Sequence, residues 1–330
     1  MKRLMIILLV LAAATSGCDK AKNIADKATS AVKHQIEKSS GKADTSAVDA
    51  DLGKLVQQTT DGTVFRKDLA FPERMEVLVT TKRELTCRIY QKSELDRKTE
   101  EVRGTRVHIA KLERSGDHVR HTLEQSTFSV PSLEKDEVEK AVDDPFRQVA
   151  ADMKPVGFRF KDDAWSVEDK GSFRAATLAK QLAPVFDAIL EENALGPRPM
   201  WFSKKRLKAG DSFTLSGESL CMLVAGNPKG TLKIKLESFE PVHGHPCGVF
   251  SVVGNYSRKK FPDFDGVFTD EDVTIQSGKL WLSLVHPIVL KEELDTIQTF
   301  ETGGQGGLSV RGQGAVKVTV DRAWKTIASN

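Results

Sequence analysis

Long apolar runs are missing from this chain. The most apolar stretch, residues 4–14, ends after eleven residues, well short of the roughly 20 that a helix needs to cross the hydrocarbon core of a bilayer. A permanent transmembrane helix there is excluded. An excess of charge of either sign is missing as well: without residues 1–17, which hold Lys2 and Arg3, 47 basic side chains face 46 acidic ones. A protein built around nucleic acid would concentrate basic charge on one face, so nucleic acid is not among the expected partners. Sequence signatures of catalysis are absent too. There is no Gly-x-Ser-x-Gly elbow and no His-Glu-x-x-His, and none of the 330 residues suggests a bound cofactor. Dispersed catalytic residues need no contiguous motif, so a hydrolase stays as the last-ranked reading.

What is present begins at the N-terminus. Met1-Lys2-Arg3 precedes the apolar run, and Thr15-Ser16-Gly17-Cys18 follows it. A charged segment, a short apolar segment and a small-residue cleavage site in that order form an export signal. Ser16-Gly17-Cys18 resembles the lipobox of bacterial lipoproteins, with Thr15 standing where the family usually has Leu. The resemblance covers the first 18 residues. It implies cleavage before Cys18, acylation of that cysteine, and a protein held on a membrane of the bacterial envelope with its globular part outside the cytoplasm. Two or three acyl chains, at about 0.8 kcal/mol per buried CH₂, anchor a protein stably. Asp19 resembles the inner-membrane retention signal of enteric lipoproteins, but Lys20 is not the residue that strengthens it, so both membranes stay open.

Residues 19–60 contain no aromatic side chain. Ile24, Ala25, Ala28, Ala31, Val32 and Ile36 recur at helical spacing, giving a thin apolar stripe. The stripe is mostly alanine and lacks the Trp, Phe or Leu that drive insertion into a membrane surface. The segment therefore reads as a partly helical tether over 18–60, behind a signal peptide at 1–17.

From residue 61 to 330 the pattern is mainly β. Strand-like runs fall at 75–80 and 85–91. A hairpin over 105–112 and 118–128 turns at Ser115-Gly116-Asp117, and another over 158–160 and 165–167 flanks Lys161-Asp162-Asp163. Two helices are expected, at 133–153 and at 172–195. In the second, Leu178, Leu182, Val185, Phe186, Ile189 and Leu190 form one apolar face that must pack on something, most simply a sheet. Further on, Leu232, Ile234 and Leu236 alternate with polar residues, and so do Val316, Val318 and Val320. Strand runs between them lie at 248–255, 267–276, 279–285 and 288–301. Turn signals stand at Gly226-Asn227-Pro228, Gly244, Ser277-Gly278 and 303–307. Successive strands with tight turns and one polar face each make an antiparallel meander. The expected fold is a mainly β (α+β) domain, a curved meander sheet with one long packed helix, forming one core or two subdomains that meet near residue 200. In its order of elements this is similar to the half-barrel of periplasmic lipoprotein carriers. That resemblance implies a concave face that binds an apolar ligand.

Candidate site residues are few. Cys87, Cys221 and Cys247 remain beyond the anchor, and an oxidising envelope permits one disulfide. Cys221 with Cys247 is the preferred pair, and three buried thiols are the alternative. His243, His245 and Cys247 share one face of an extended chain and are the candidate metal ligands, although a Gly and a Pro between them suit a hairpin loop and no second ligand pair stands near. His118 and His121, three apart in a strand, point to opposite faces. Asp263, Asp265 and Asp270-Glu271-Asp272 form an acidic loop that fails the EF-hand pattern. The glycines at 303–307 lack the Lys-Ser/Thr and helix of a phosphate loop. The leading function is a non-catalytic binding protein for an apolar ligand or lipid. The second is a scaffold that docks other envelope proteins.

Overall fold

A computed structural model describes residues 58–59, 62–64, 74–92, 97–129, 156–161, 164–167, 206–224, 228–260, 269–286, 288–303 and 309–327. The signal and the tether stripe, both expected helices with their 172–195 apolar face, and the expected boundary near 200 lie outside the described residues.

The strands are β1 (Gln58–Thr59), β2 (Gly62–Val64), β3 (Arg74–Lys92), β4 (Arg97–Ser115), β5 (His118–Ser129), β6 (Val156–Lys161), β7 (Ala164–Val167), β8 (Arg206–Leu207), β9 (Ser212–Ser216), β10 (Lys229–Val242), β11 (His245–Lys260), β12 (Thr269–Ser283), β13 (Val289–Gly303) and β14 (Ser309–Thr326). One 3-10 segment, Gly217–Met222, is the helical element among the described residues. β1, β2 and β8 form a small sheet, and the other eleven strands form one antiparallel sheet in the order β7-β6-β5-β4-β3-β14-β13-β12-β11-β10-β9. Neighbours in this sheet are neighbours in sequence except at β3–β14. There the first long strand pairs with the last, from Met75 opposite Thr326 to Lys92 opposite Ser309. β7 and β9 are its two edges, so the sheet curves without closing.

Alternation of side chains decides which face is packed. On β10, Leu232, Ile234 and Leu236 are buried, and on β14 so are Val316, Val318 and Val320. Residues directly opposite in a ladder share a face, so the register carries this inner face across the sheet. It runs through Phe250 and Val252 on β11, Val273, Ile275, Leu280 and Leu282 on β12, then Leu294 on β13, to Met75, Val77, Val79 and Leu85 on β3. Leu215, Leu220, Met222 and Val224 pack onto the same core from β9 and the 3-10 segment. Each such side chain, fully buried, contributes roughly 1.5–3 kcal/mol. The outer face carries paired charges, among them Lys111 to Glu76 at 3.1 Å and Lys325 to Glu76 at 3.0 Å, beside smaller buried groups such as Val107 with Ile109 and Val249 with Trp281.

The hairpins expected from sequence form. Ser115 stands opposite His118 with Gly116-Asp117 between them, Gly116 at φ 60°. β6 and β7 pair from Phe158 opposite Val167 to Lys161 opposite Ala164. β10 and β11 are joined at His243-Gly244, whose φ values of 48° and 80° suit the tight two-residue turn that a twisted hairpin needs.

Two boundaries differ from expectation. The runs at 75–80 and 85–91 are one strand, β3. Its charged middle continues in phase, with Lys82 and Glu84 outward and Arg83 inward, and ladders to β4 and β14 hold the backbone from both sides. The turn expected at Ser277-Gly278 is instead a register shift within β12. Gly278 leaves room for neighbours: a Cβ there would come within 2.5 Å of Leu294 Cδ2 and 2.8 Å of Val252 Cγ1.

Candidate functional site

The inner face of β10, β11, β12, β13, β14 and β3 lines a single cleft of about 80 Å³ that opens to solvent. Six neighbouring strands reach one cleft from the same face because the sheet curls toward that side. Its floor is apolar, formed by Leu232, Val252, Val273, Ile275, Leu280, Leu294, Val318 and Val320.

Charged residues interrupt this floor at inward positions. On β11, Arg258 follows Val252 and Tyr256 in phase, and its Nε donates to Glu271 Oε2 at 2.9 Å. Glu271 is 2% exposed. The guanidinium of Arg258 also lies 5.8 Å from the Tyr256 ring centroid, within the range of a cation–π attraction. On β14, Arg322 follows Val316, Val318 and Val320 in phase. Its Nη1 donates to Glu292 Oε1 at 2.6 Å and to the Val289 carbonyl at 2.8 Å. Ion pairs this buried survive because their donors and acceptors are satisfied; removing one partner strands the other at a cost of about 3–5 kcal/mol. Between the two pairs, Thr296 Oγ1 donates to the Val316 carbonyl at 2.8 Å and accepts from Gln298 Nε2 at 3.1 Å.

Arg83 closes the cleft at the β3 side, and no carboxylate among the described residues pairs with it. Arg106 on β4 stands directly opposite Arg83 in the ladder, and therefore on the same face. Along that face the inward positions from Met75 to Leu85 on β3, Gly104 to Arg114 on β4 and Val119 to His121 on β5 hold Arg83, Arg106, Arg114, His108 and His121 and no Asp or Glu. Burial pushes His108 down to about 3, helped by the charges of Arg106, His121 and Arg83, and burial brings His121 down to about 4. Both imidazoles are neutral at pH 7. The inner face thus changes composition across the molecule: apolar with two ion pairs from β10 to β14, richer in basic side chains at β3 and β4.

The candidates named from sequence are placed as follows. Cys18 lies outside the described residues. Cys247 keeps its thiol, so the expected Cys221–Cys247 disulfide is not formed. Cys221 leaves the sheet where β9 ends, at Ser216 opposite Thr231, whereas Cys247 pairs with Glu240. Thr231 and Glu240 are about 30 Å apart along β10 at roughly 3.3 Å per residue, and a disulfide needs Cα atoms within about 7 Å.

His243, His245 and Cys247 do not converge either. His243 sits in the turn with its Nε2 2.7 Å from Asp321 Oδ1 on β14. His245 is buried at the start of β11. Cys247 donates its Sγ hydrogen to the His245 carbonyl at 3.3 Å, and burial raises its pKa to about 12. A thiol so held is the opposite of a metal-binding thiolate. Among the described residues no group of three or more His, Cys, Asp or Glu side chains is arranged to hold a metal ion. His118 and His121 take opposite faces as expected: His118 is exposed, 3.1 Å from Asp117, and His121 is buried. The acidic 270–272 segment is strand, not loop, with Glu271 inward and Asp272 exposed, so these carboxylates cannot gather on one ion. Residues 263–268 and 304–308 lie outside the described residues.

Sequence reasoning missed Arg83, Arg106, Arg258, Glu292 and Arg322, and it placed Glu271 in a loop and not on the packed face of a strand. The signal for Arg322 was available: it continues the Val316, Val318, Val320 alternation in phase, which puts a charge on a packed face.

No protein-family model and no curated protein sequence matches the chain. Among solved structures it is similar to lipovitellin, at 10% identity and a TM-score of 0.35, over 79% of this chain. The match spans about a quarter of the lipovitellin chain, 26% of its length. It is also similar to a DUF1329 family protein from Desulfovibrio piger, at 8% identity and a TM-score of 0.15, over 76% of this chain and 87% of that one.

Proposed function

We propose that this chain is a lipid-anchored protein of the bacterial envelope that binds an apolar ligand, an acyl chain of a lipid, on the inner face of its sheet, without catalysis. The anchor reading rests on Lys2-Arg3, the apolar run and Ser16-Gly17-Cys18. The observation that carries the binding reading is the open cleft, where apolar side chains from neighbouring strands line one face of an unclosed sheet. Its volume of about 80 Å³ is below the roughly 150 Å³ of a dry cavity that takes benzene. The ligand therefore lies along the open part of the inner face and is not enclosed. The alternative of a docking scaffold has less support on the outer face. The exposed large hydrophobics among the described residues, Tyr90 on β3 and Val253 on β11, have β14, β13 and β12 between them and form no patch.

The test is to express residues 19–330 without the anchor, purify them gently and examine them by native mass spectrometry with extraction of bound lipid. An adduct of one lipid per chain is the expected result. A clean apo mass, with no uptake of added lipid, would overturn the reading and turn attention to crosslinking for a protein partner.

A further inference from the structure

We infer that the polar end of the bound lipid is an uncharged hydrogen-bond donor, the hydroxyl of an acylglycerol, and that the side-chain carbonyl of Gln298 on β13 receives it. This rests on the lipid-binding reading above and adds the headgroup chemistry to it. Gln298 lines the cleft. Its Nε2 donates to Thr296 Oγ1 at 3.1 Å, and that hydroxyl gives its own hydrogen to the Val316 carbonyl at 2.8 Å. A hydroxyl has no second hydrogen to offer, so Gln298 must be the donor in their contact, and this fixes which way its amide points. Gln298 Oε1 is then turned away from Thr296 and accepts no hydrogen bond among the described residues. A carbonyl in an apolar cleft is costly without a donor, and a ligand hydroxyl supplies one.

The surroundings of the amide agree. The charged groups of the floor are engaged with one another, Arg258 with Glu271 and Arg322 with Glu292. Gln298 stands opposite Val273 on β12 and Gly314 on β14, so one neighbour in its row is apolar and the other has no side chain to cover it. Arg83 belongs to the row of Val318 and Leu294. Leu294 is four residues from Gln298 along β13, about 13 Å at ~3.3 Å each, and Arg83 stands two strands further across. A headgroup on Gln298 is therefore out of reach of that charge, while its chain extends over Ile275, Leu294 and Val318. An ionised carboxylate or a phosphodiester only accepts hydrogen bonds and gives this carbonyl no partner.

The experiment uses the full chain in a non-ionic maltoside detergent, followed by native mass spectrometry. It is titrated with dioleoylglycerol, with the methyl ether of dioleoylglycerol, which keeps the chains and esters but has no O–H, and with dioleoylphosphatidylmethanol, an anionic phosphodiester of the same chains. Dioleoylglycerol should bind about fivefold more tightly than its ether, the effect of one typical hydrogen bond, and more tightly than the phosphodiester. Gln298→Leu should bind the alcohol and the ether equally, and its retained ether adduct reports that the floor is still folded. Gln313→Ala, an exposed position on the other face of β14, should keep the full preference. Equal affinity for alcohol and ether in the wild-type chain, a comparison that needs no variant, overturns the headgroup assignment and leaves the apolar-ligand reading standing. A preference that survives Gln298→Leu overturns the assignment to this residue in the same way. Tighter binding of the phosphodiester overturns the uncharged headgroup. Failure of all three lipids to bind overturns the underlying reading as well.

Discussion

Three histidines on or beside the packed face make the stability of this protein depend on pH in a defined direction. His108 is pushed down to about 3, and His121 and His286 to about 4, from an ordinary value of 6.5, with burial the main cause in each. In the folded chain they stay neutral while the unfolded chain takes up protons as pH falls through about 6.5. Their contribution is therefore complete above that value and is lost between there and about 4, with a slope of up to about 1.4 kcal/mol per pH unit for each group. Urea unfolding followed at pH 7.5, 6 and 5 should show a midpoint that falls steadily below pH 6.5, and His121→Phe should make the fall shallower. A midpoint unchanged from pH 7.5 to 5 would contradict the burial of these rings. The opposite faces of His118 and His121 were readable from their odd spacing. The pairing of Arg83 with Arg106 was not, because each lies in a charged stretch that reads as solvent-facing until the register sets them side by side.

At the scale of elements, alternation and turn residues identified most strands, and the errors share one cause. Local signals show where a chain is able to turn. A strand held by ladders on both sides continues through such a signal, as β3 does through Thr81-Lys82-Arg83-Glu84 and β12 does through Ser277-Gly278. Glycines inside strands then act as points of close approach. Gly254 on β11 has φ 138°, and a Cβ there would lie 3.0 Å from the Leu232 Cα of β10 and 3.2 Å from its Cδ2. Gly254→Ala meets both backbone strain and overpacking, and should cost about 2–5 kcal/mol. Asn255→Ala, exposed on the next position, should change stability by no more than about 0.5 kcal/mol. The two urea midpoints, compared with wild type, check this. A Gly254→Ala midpoint as little changed as that of Asn255→Ala would show that β10 and β11 have room to separate.

For the whole molecule, the decisive contact is β3 against β14. Strands from before and after residue 200 belong to one sheet through that ladder, and the cleft exists because β3 adds Arg83 beside the floor supplied by β10 to β14. The proposed anchor belongs to this scale too. With Cys18 acylated, the full chain should sediment with membranes and incorporate labelled palmitate. Cys18→Ser should lose the label and shift most of the chain out of the membrane fraction. Equal labelling of both would remove the lipobox reading. Three things were determined by sequence alone: the antiparallel β character, the hairpins at Gly116 and Gly244, and the inward phase of the Leu232 and Val316 series. These follow from the two-residue period of a strand and from the positive φ that tight turns demand, both of them local properties. The pairing of first strand with last, the separation of Cys221 from Cys247, the dispersal of His243, His245 and Cys247, and the gathering of basic side chains on the inner face at β3 and β4 were decided only by tertiary structure. Each depends on which strands become neighbours, and side chains more than 200 residues apart meet only once the ladders have formed.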